Sequence, residues 1–223
     1  MRRVLKGHKI AEVEVVPDDI VMGSTPPEAF VAAMKGRTVM EIGRKGKYWW
    51  IELDAKPWVF GHLGMAGWIR ELDAPTIRLR EHGNAPLDDT NGRPRFLKLM
   101  ITADDGRRIS FTDQRRLARL WLGDSPITDS RIKELGFDCY EGLPTPKELY
   151  AVLQKRTAPI KAILLDQSLF AGIGNWIADE TLWHARISPK RASDSLKPKE
   201  VERLREAIRM VMEVAVEAGA DSA

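Results

Sequence analysis

Short apolar segments in the first half of the chain alternate with polar residues in the manner of β-strands. Six of them are rich in β-branched and aromatic residues, and they occupy residues 38–42, 47–53, 58–63, 67–72, 95–102 and 108–113. The sequence Ala103-Asp104-Asp105-Gly106 predicts a hairpin turn between the last two. Residues 26–34 predict a short helix, and the polar stretch from Asp73 to Pro94 predicts a long loop.

The pattern becomes helical in the second half of the chain. Thr145-Pro146-Lys147-Glu148 has the form of a capping box with proline at the first helical position. Further helices are expected to begin at Pro159, at Asn175 and near Pro198. In the last of these, apolar residues recur with the period of 3.6 that is typical of a helix with one buried face.

These two patterns divide the chain and predict an α+β protein. We expect an all-β domain over residues 1–122 and a small helical domain over residues 145–223. Residues 123–144 are predicted to connect them and to contain one short helix.

Composition narrows the class of protein without defining it. The chain has 223 residues, a hydrophobic fraction of 43% and a formal net charge of +3, which favours polyanionic partners only weakly. The one cysteine, Cys139, excludes an internal disulfide and a cysteine-pair zinc site, and it fits a reducing compartment. No apolar run approaches the roughly 18 residues of a membrane span, and the N-terminus lacks the apolar region of a signal peptide.

The segment LFAGIGNWIAD, residues 169–179, places two glycines between predicted helices. Gly172 and Gly174 would bring bare backbone close to a ligand, and the following helix start offers unpaired amides that suit a phosphate. Asn175 could add a side-chain donor, with Lys155 and Lys161 nearby in the sequence. The alternative is an ordinary corner of a helical bundle.

The strand segment RKGKYWWIEL, residues 44–53, begins with a cluster of cations. Arg44, Lys45 and Lys47 could grip phosphate at the start of an otherwise apolar strand. The alternative is a solvated strand end without a ligand.

Two further segments contain apolar and cationic residues that could contact nucleic acid. In FGHLGMAGW, residues 60–68, His62 and Met65 project from a glycine-rich loop, and a methionine there could wedge between bases. The alternative is a core methionine and a hydrogen-bonded histidine. In TDQRRLAR, residues 112–119, the arginines suit phosphate and base-edge contacts. The alternative there is a structural pair between an arginine and Asp113.

Together these segments resemble the formamidopyrimidine-DNA glycosylase family. The segments that match the family are GKYWWIEL, HLGMAG, TDQRRLA and IKAILLDQSLFAGIGNWIADETLWHARISP. They occur in the family's order and at comparable spacing, over nearly the whole chain. GIGNWIADE is most similar to the plant and fungal form, which has no zinc finger. The resemblance implies an N-terminal β-sandwich followed by a helix–two-turn–helix domain.

The family removes oxidised purines such as 8-oxoguanine and formamidopyrimidines from duplex DNA and then cuts the strand at the abasic site. The damaged nucleotide must first leave the stack. By resemblance, Met65, Arg115 and Leu117 fill the vacated space, and Arg115 faces the orphaned cytosine. Family members usually carry phenylalanine where this chain has Leu117, so that wedge is expected to be weaker.

The remaining implied roles concern the DNA backbone and proton transfer. By resemblance, Lys47 is the catalytic residue that assists β-elimination, and it grips phosphate together with His62 and Asn175. Further backbone contacts and parts of the phosphate cradle are expected at Arg116, Lys155, Lys161, Gly172 and Gly174. The implied partner is duplex DNA with oxidised purines or abasic sites, bound by a monomer without metal, cofactor or membrane.

Two departures from the family pattern bear on activity. The family's mature proteins begin Pro-Glu-Leu-Pro-Glu-Val-Glu, where the proline amine attacks the sugar C1′ and the next glutamate handles protons. This sequence begins Met1-Arg2-Arg3, and no four-cysteine zinc finger follows the helical part. We therefore expect a family member shortened at both ends.

Three functions stay open at this point. The first is a glycosylase and abasic-site lyase, and the second is a protein that binds damaged or abasic DNA without cutting it. The third is an RNA-associated helix–two-turn–helix protein, against which the HLGMAG and TDQRRLA matches argue. A bacterial protein of the first kind would work in the nucleoid of the cytoplasm, and a plant or fungal one in the nucleus.

Overall fold

A computed structural model of the chain describes residues 1–72, 74 and 88–217. The chain divides into two compact units, residues 1–133 and residues 134–223. The division falls inside the predicted connector.

The first unit is built on two four-stranded antiparallel sheets. One sheet has the order β1-β6-β7-β5 and the other has the order β2-β3-β4-β8. The strands are β1 (Ile10–Val15), β2 (Val39–Lys45), β3 (Tyr48–Leu53), β4 (Trp58–His62), β5 (Gly67–Glu71), β6 (Leu97–Ala103), β7 (Arg108–Asp113) and β8 (Arg119–Gly123).

Alternating side chains from both sheets form the core of this unit. Trp49 and Ile51 on β3 are buried, as are Leu99 on β6 and Phe111 on β7. The rings of Trp49 and Phe111 lie 5.8 Å apart between centroids and join the two sheets. This is the period-two pattern of strands that each bury one face.

Three short helices flank the sheets. They are α1 (Arg2–Leu5), α2 (Asp19–Met22) and α3 (Pro27–Met34). The α2 helix is capped by Asp18, whose side chain accepts from the backbone amides of Ile20 and Val21.

The second unit is helical. It contains α4 (Pro146–Leu153), α5 (Ile160–Leu165), α6 (Asn175–Ala185), α7 (Pro198–Glu217), a short 3₁₀ helix over Ser193–Ser195, and the parallel pair β9 (Phe137–Asp138) and β10 (Phe170–Ala171). The predicted capping box is present at Thr145 and Glu148. The apolar face of α7 packs into the core of this unit, as its period predicts.

The α+β prediction and the order of sandwich and helical parts are confirmed, and so are the six predicted strands and the Gly106 turn. The sequence analysis missed β1, β8 and the helix α2. The short helix predicted in the connector is wrong, because the described residues there form turns and the two-residue strand β9. Most of the predicted loop over residues 73–94 lies outside the described residues.

Among the described residues, none of the helices combines the length and apolar character that a membrane crossing needs.

Candidate nucleic-acid interface

The residues predicted from the first unit meet at one end of the sandwich. In one sheet, the ladder pairs Lys45 with Tyr48, Tyr48 with His62, and His62 with Arg119. Each of these residues is the first or last of its strand. Lys47, in the turn between β2 and β3, belongs to the same end.

The second sheet ends at the same place. Gly67, at the start of β5, pairs with Asp113, at the end of β7, and Leu97 at the start of β6 pairs with Thr112. The segments 63–66 and 114–118 therefore cross from one sheet to the other at this end. We call residues 45–48, 62–67, 95–97 and 113–119 the loop edge.

His62 is held at the loop edge by its own loop. Its Nδ1 accepts from the Gly64 amide at 3.0 Å, so the neutral ring carries its proton on Nε2. Burial, followed by the charges of Lys47 and Arg119, lowers the pKa of His62 below its usual value. The side chain is thus suited to donate a hydrogen bond as a neutral ring near pH 7.

The glycine-rich loop packs directly on the arginine loop. Gly64 has a φ of +62°, and a Cβ there would lie 2.6 Å from the carbonyl oxygen of Leu117. This close approach leaves Met65 83% exposed and Leu117 39% exposed at the loop edge. The prediction that Met65 projects from the loop agrees with this exposure, and the alternative of a core methionine is wrong.

Asp113 shapes the arginine loop through the backbone. Its buried carboxylate accepts from the amides of Arg115 at 3.0 Å and Ala118 at 2.7 Å. The Arg115 side chain is exposed. The suggested ion pair between an arginine side chain and Asp113 is therefore wrong, because main-chain amides occupy the Asp113 carboxylate.

The arginine that does form a structural pair is Arg116. It has a φ of +56°, and its guanidinium donates to both carboxylate oxygens of Asp18 at 2.9–3.1 Å and to Asp19 at 2.6 Å. Lys98 completes the cluster at 2.8 Å from Asp18. Burial alone would raise the pKa of Asp18, but hydrogen bonds from Arg116 and Lys98 hold it well below its usual range. The expected backbone-phosphate contact at Arg116 thus competes with an existing ion pair.

In the second unit, the glycine turn before α6 is organised by Gln167. The amide of Gly172, whose φ is +108°, donates to Oε1 of Gln167 at 3.2 Å. Nε2 of Gln167 donates to the carbonyls of Leu165 at 2.9 Å and Ile173 at 2.8 Å. Sequence reasoning missed Gln167, although an amide between two helices beside a glycine turn was the available signal.

The start of α6 is open to solvent. Gly174 precedes it and offers no capping side chain, and Asn175 in its first turn is exposed. Such an end attracts anions. Nζ of Lys161 lies 2.6 Å from Oδ1 of Asp179 on α6, so its expected phosphate contact competes with this ion pair. Lys155 is exposed and lines a groove of about 430 Å³ with residues that include Ser168 and Leu169.

Among the described residues, one group has the spacing of metal ligands, namely His8, Asp104 and Asp105. His8 is bonded to Asp104 at 2.8 Å, and Arg107 lies 2.9 Å from its other ring nitrogen. The guanidinium repels a cation, so this group forms an ion-pair cluster. It lies at the far end of β6 from the loop edge.

The fold and these sites define a class of two-unit proteins, an antiparallel β-sandwich with a cationic and apolar end followed by a helix–two-turn–helix unit. Residues 1–120 match the formamidopyrimidine-DNA glycosylase N-terminal domain, and residues 135–223 match the formamidopyrimidine-DNA glycosylase H2TH domain. The chain belongs to the formamidopyrimidine-DNA glycosylase family.

Named relatives agree with this assignment. The chain is 38% identical to formamidopyrimidine-DNA glycosylase of Arabidopsis thaliana over 97% of its own length and 55% of that protein. It is 36% identical to the Chloroflexus aurantiacus protein over 85% of its length and 63% of that protein, and 33% identical to the Pelotomaculum thermopropionicum protein over 96% and 72%. The chain thus spans about half to two thirds of the first two relatives.

Solved structures of similar fold contain DNA. The Lactococcus lactis Fpg bound to DNA with an abasic site superposes with a TM-score of 0.79 at 26% identity, over 99% of this chain and 77% of that one. The same protein bound to FAPY-dG-containing DNA gives a TM-score of 0.78 at 26% identity, over 97% and 76%.

Proposed function

We propose that this chain binds duplex DNA at a damaged base and forms the lesion-recognising part of a DNA glycosylase. The observation that carries the proposal is the loop edge, which combines exposed cations with exposed apolar side chains at one end of the β-sandwich. Lys47 and Arg115 supply the positive charge that phosphates attract. Met65 and Leu117 supply apolar groups of the kind that enter between base steps.

In base flipping, these apolar side chains would fill the space that the extruded nucleotide leaves. Extruding a nucleotide costs about a few kcal/mol, and the cost is least at a damaged or missing base. Met65 and Leu117 would occupy the vacated space, and Arg115 would offer hydrogen-bond donors to the base left without a partner. Their exposure and their position on two loops packed against each other support this role.

Phosphate binding would use a neutral donor as well as charges. His62 keeps its proton on Nε2 and would donate it to a phosphate oxygen beside Lys47. In the second unit, the uncapped start of α6 and the exposed Asn175 would bind another phosphate. In this proposal Arg116 positions the arginine loop through Asp18, and Lys161 contributes only if its pair with Asp179 opens.

The finer chemistry proposed is excision of oxidised purines followed by cutting at the abasic site. The crystallised relatives bound to FAPY-dG and abasic DNA support this choice. By family resemblance, an amino-terminal proline amine attacks the sugar C1′, and Lys47 assists proton transfer during elimination. We further propose that the protein acts as a monomer, in the nucleoid of a bacterium or in a plant or fungal nucleus.

Borohydride trapping tests the catalytic part of this proposal. The chain would be prepared as it stands and with Pro-Glu-Leu-Pro-Glu-Val-Glu placed before it, and each would be incubated with a duplex that contains one 8-oxoguanine or one abasic site. We expect a trapped covalent adduct and strand cutting with the leader. The same leader-bearing protein with its α-amine acetylated should bind without trapping, because an acetylated amine cannot form the Schiff base. Tight binding to abasic DNA with no trapping in any version would instead indicate a non-catalytic lesion-binding protein.

A further inference from the structure

Phe96 is an exposed aromatic residue at the loop edge that the proposed function has not used. It is 39% exposed and directly precedes β6. Its carbonyl accepts from the amide of Asp113 at 3.0 Å, the residue whose carboxylate holds the arginine loop. Phe96 is therefore fixed beside the loop that carries Arg115 and Leu117.

The backbone at Phe96 is held in an unfavourable conformation. Its φ is +58°, in the left-handed region that a bulky residue rarely adopts. Among the described residues the two other non-glycine residues with positive φ are Arg116, also at the loop edge, and Arg186. Strained positions of this kind concentrate at ligand-binding sites.

The neighbouring residue gives Phe96 a cationic partner. The guanidinium carbon of Arg95 lies 5.4 Å from the centroid of the Phe96 ring, within the range of a cation–π contact. Arg95 is itself exposed. The pair presents a flat apolar surface and a positive charge to solvent at one place.

We propose that Phe96 and Arg95 form a further DNA contact, in which the ring stacks on a nucleobase beside the opened step and Arg95 binds the adjoining phosphate. The proposal rests on the proposed function and deepens it. Met65 and Leu117 are also exposed and apolar, and they lie with Phe96 and several cationic side chains at the loop edge. An aromatic ring next to a cation matches the base and phosphate of one nucleotide.

Equilibrium binding tests the contact. The probe is a duplex with one tetrahydrofuran abasic analogue and a neighbouring 2-aminopurine, titrated with the full chain. We expect Phe96→Ala to weaken binding about tenfold and to change the 2-aminopurine fluorescence of the complex. Arg95→Ala should reduce the slope of log affinity against log salt by about one contact. Met40→Ala is the matched control, since Met40 is 52% exposed at the opposite end of β2.

Two further variants separate binding from folding. Phe96→Gly removes the ring and relieves the positive φ, so it should fold at least as well as the original chain and still bind about tenfold less tightly. Phe96→Trp keeps an aromatic surface and should retain binding.

The outcomes distinguish this contact from the proposed function. If Met65→Ala weakens binding while Phe96→Ala and Phe96→Gly do not, the contact is refuted and the proposed function stands. If none of these variants changes binding, both are refuted. Loss of binding to anionic phospholipid vesicles in Phe96→Ala, with DNA binding unchanged, would assign the pair to a membrane surface and overturn the contact.

Discussion

At the scale of single residues, burial and neighbouring charges determine which hydrogen-bonding groups a side chain presents at the loop edge. His62 lies between Lys47 and Arg119, and both lower its pKa after burial has done so. It therefore stays neutral where an ordinary histidine begins to charge, and it offers one donor at a fixed nitrogen.

Replacing Lys47 by methionine should raise the pKa of His62, because a nearby positive charge that opposes protonation is removed. The sign for stability follows from linkage. With a lowered pKa in the folded state, the unfolded chain binds the proton first, so the free energy of unfolding falls as pH drops from about 6.5 to the folded pKa. Lys47→Met should make this fall smaller.

An NMR titration of the His62 ring measures this directly, together with denaturation at several pH values. Lys35→Met, at the end of α3, is the control and should leave the titration of His62 unchanged. A His62 midpoint that does not move in Lys47→Met would refute the electrostatic explanation.

Arg116 shows the opposite case at the same scale. Its guanidinium is occupied by Asp18 and Asp19, so a residue that resembles a DNA contact in sequence acts first on the protein's own structure. Sequence reasoning expected an arginine pair in this loop but chose the nearest aspartate. Asp18 lies 98 positions away from Arg116, and only the fold brings the two together.

At the scale of elements, two loops that cross between the sheets determine the shape of the loop edge. The glycine loop and the arginine loop touch through Gly64 and the Leu117 carbonyl. Because this contact is between main chains, side-chain rearrangement cannot relieve a clash there.

Gly64→Ala should therefore destabilise the protein and weaken its binding to abasic DNA. Both Gly64 and Gly106 have positive φ, so alanine at either position costs about 1–2 kcal/mol of backbone strain. Only Gly64 also meets another main chain, whereas a Cβ at Gly106 has nothing within 4 Å.

Gly106→Ala is therefore the matched control. Thermal denaturation should give a larger loss for Gly64→Ala, and only that variant should lose affinity for abasic DNA. Equal stability losses and unchanged binding in both variants would show that the loop contact has no role.

The glycine turn of the second unit depends on a different device. Gln167 connects the end of α5 to Gly172 and Ile173 through three hydrogen bonds of its amide. The GIGN sequence predicted a tight turn before a helix, which the structure contains. It did not indicate the amide that holds the turn, because Gln167 lies outside the glycine pattern.

At the scale of the whole molecule, the sequence predicted the order of a β unit and a helical unit and most of their elements. Period-two strands such as β3 and the capped helix α4 are specified locally, so patterns suffice for them. The strand β8 was not predicted from the sequence, because the arginines before it favoured a loop. The convergence of Lys47, His62, Met65 and Arg115 needed sheet registers, which join positions far apart in sequence.

The most direct measurement is the affinity of the chain for a duplex with one tetrahydrofuran abasic analogue against the same duplex intact, at one fixed salt concentration. If the loop edge recognises a missing base, the damaged duplex should bind about tenfold more tightly or better, since less unstacking is needed. Replacing Met65 and Arg115 together by alanine should abolish this preference while Met40→Ala keeps it. Equal affinity for the two duplexes in the original chain would contradict the proposed role of the loop edge.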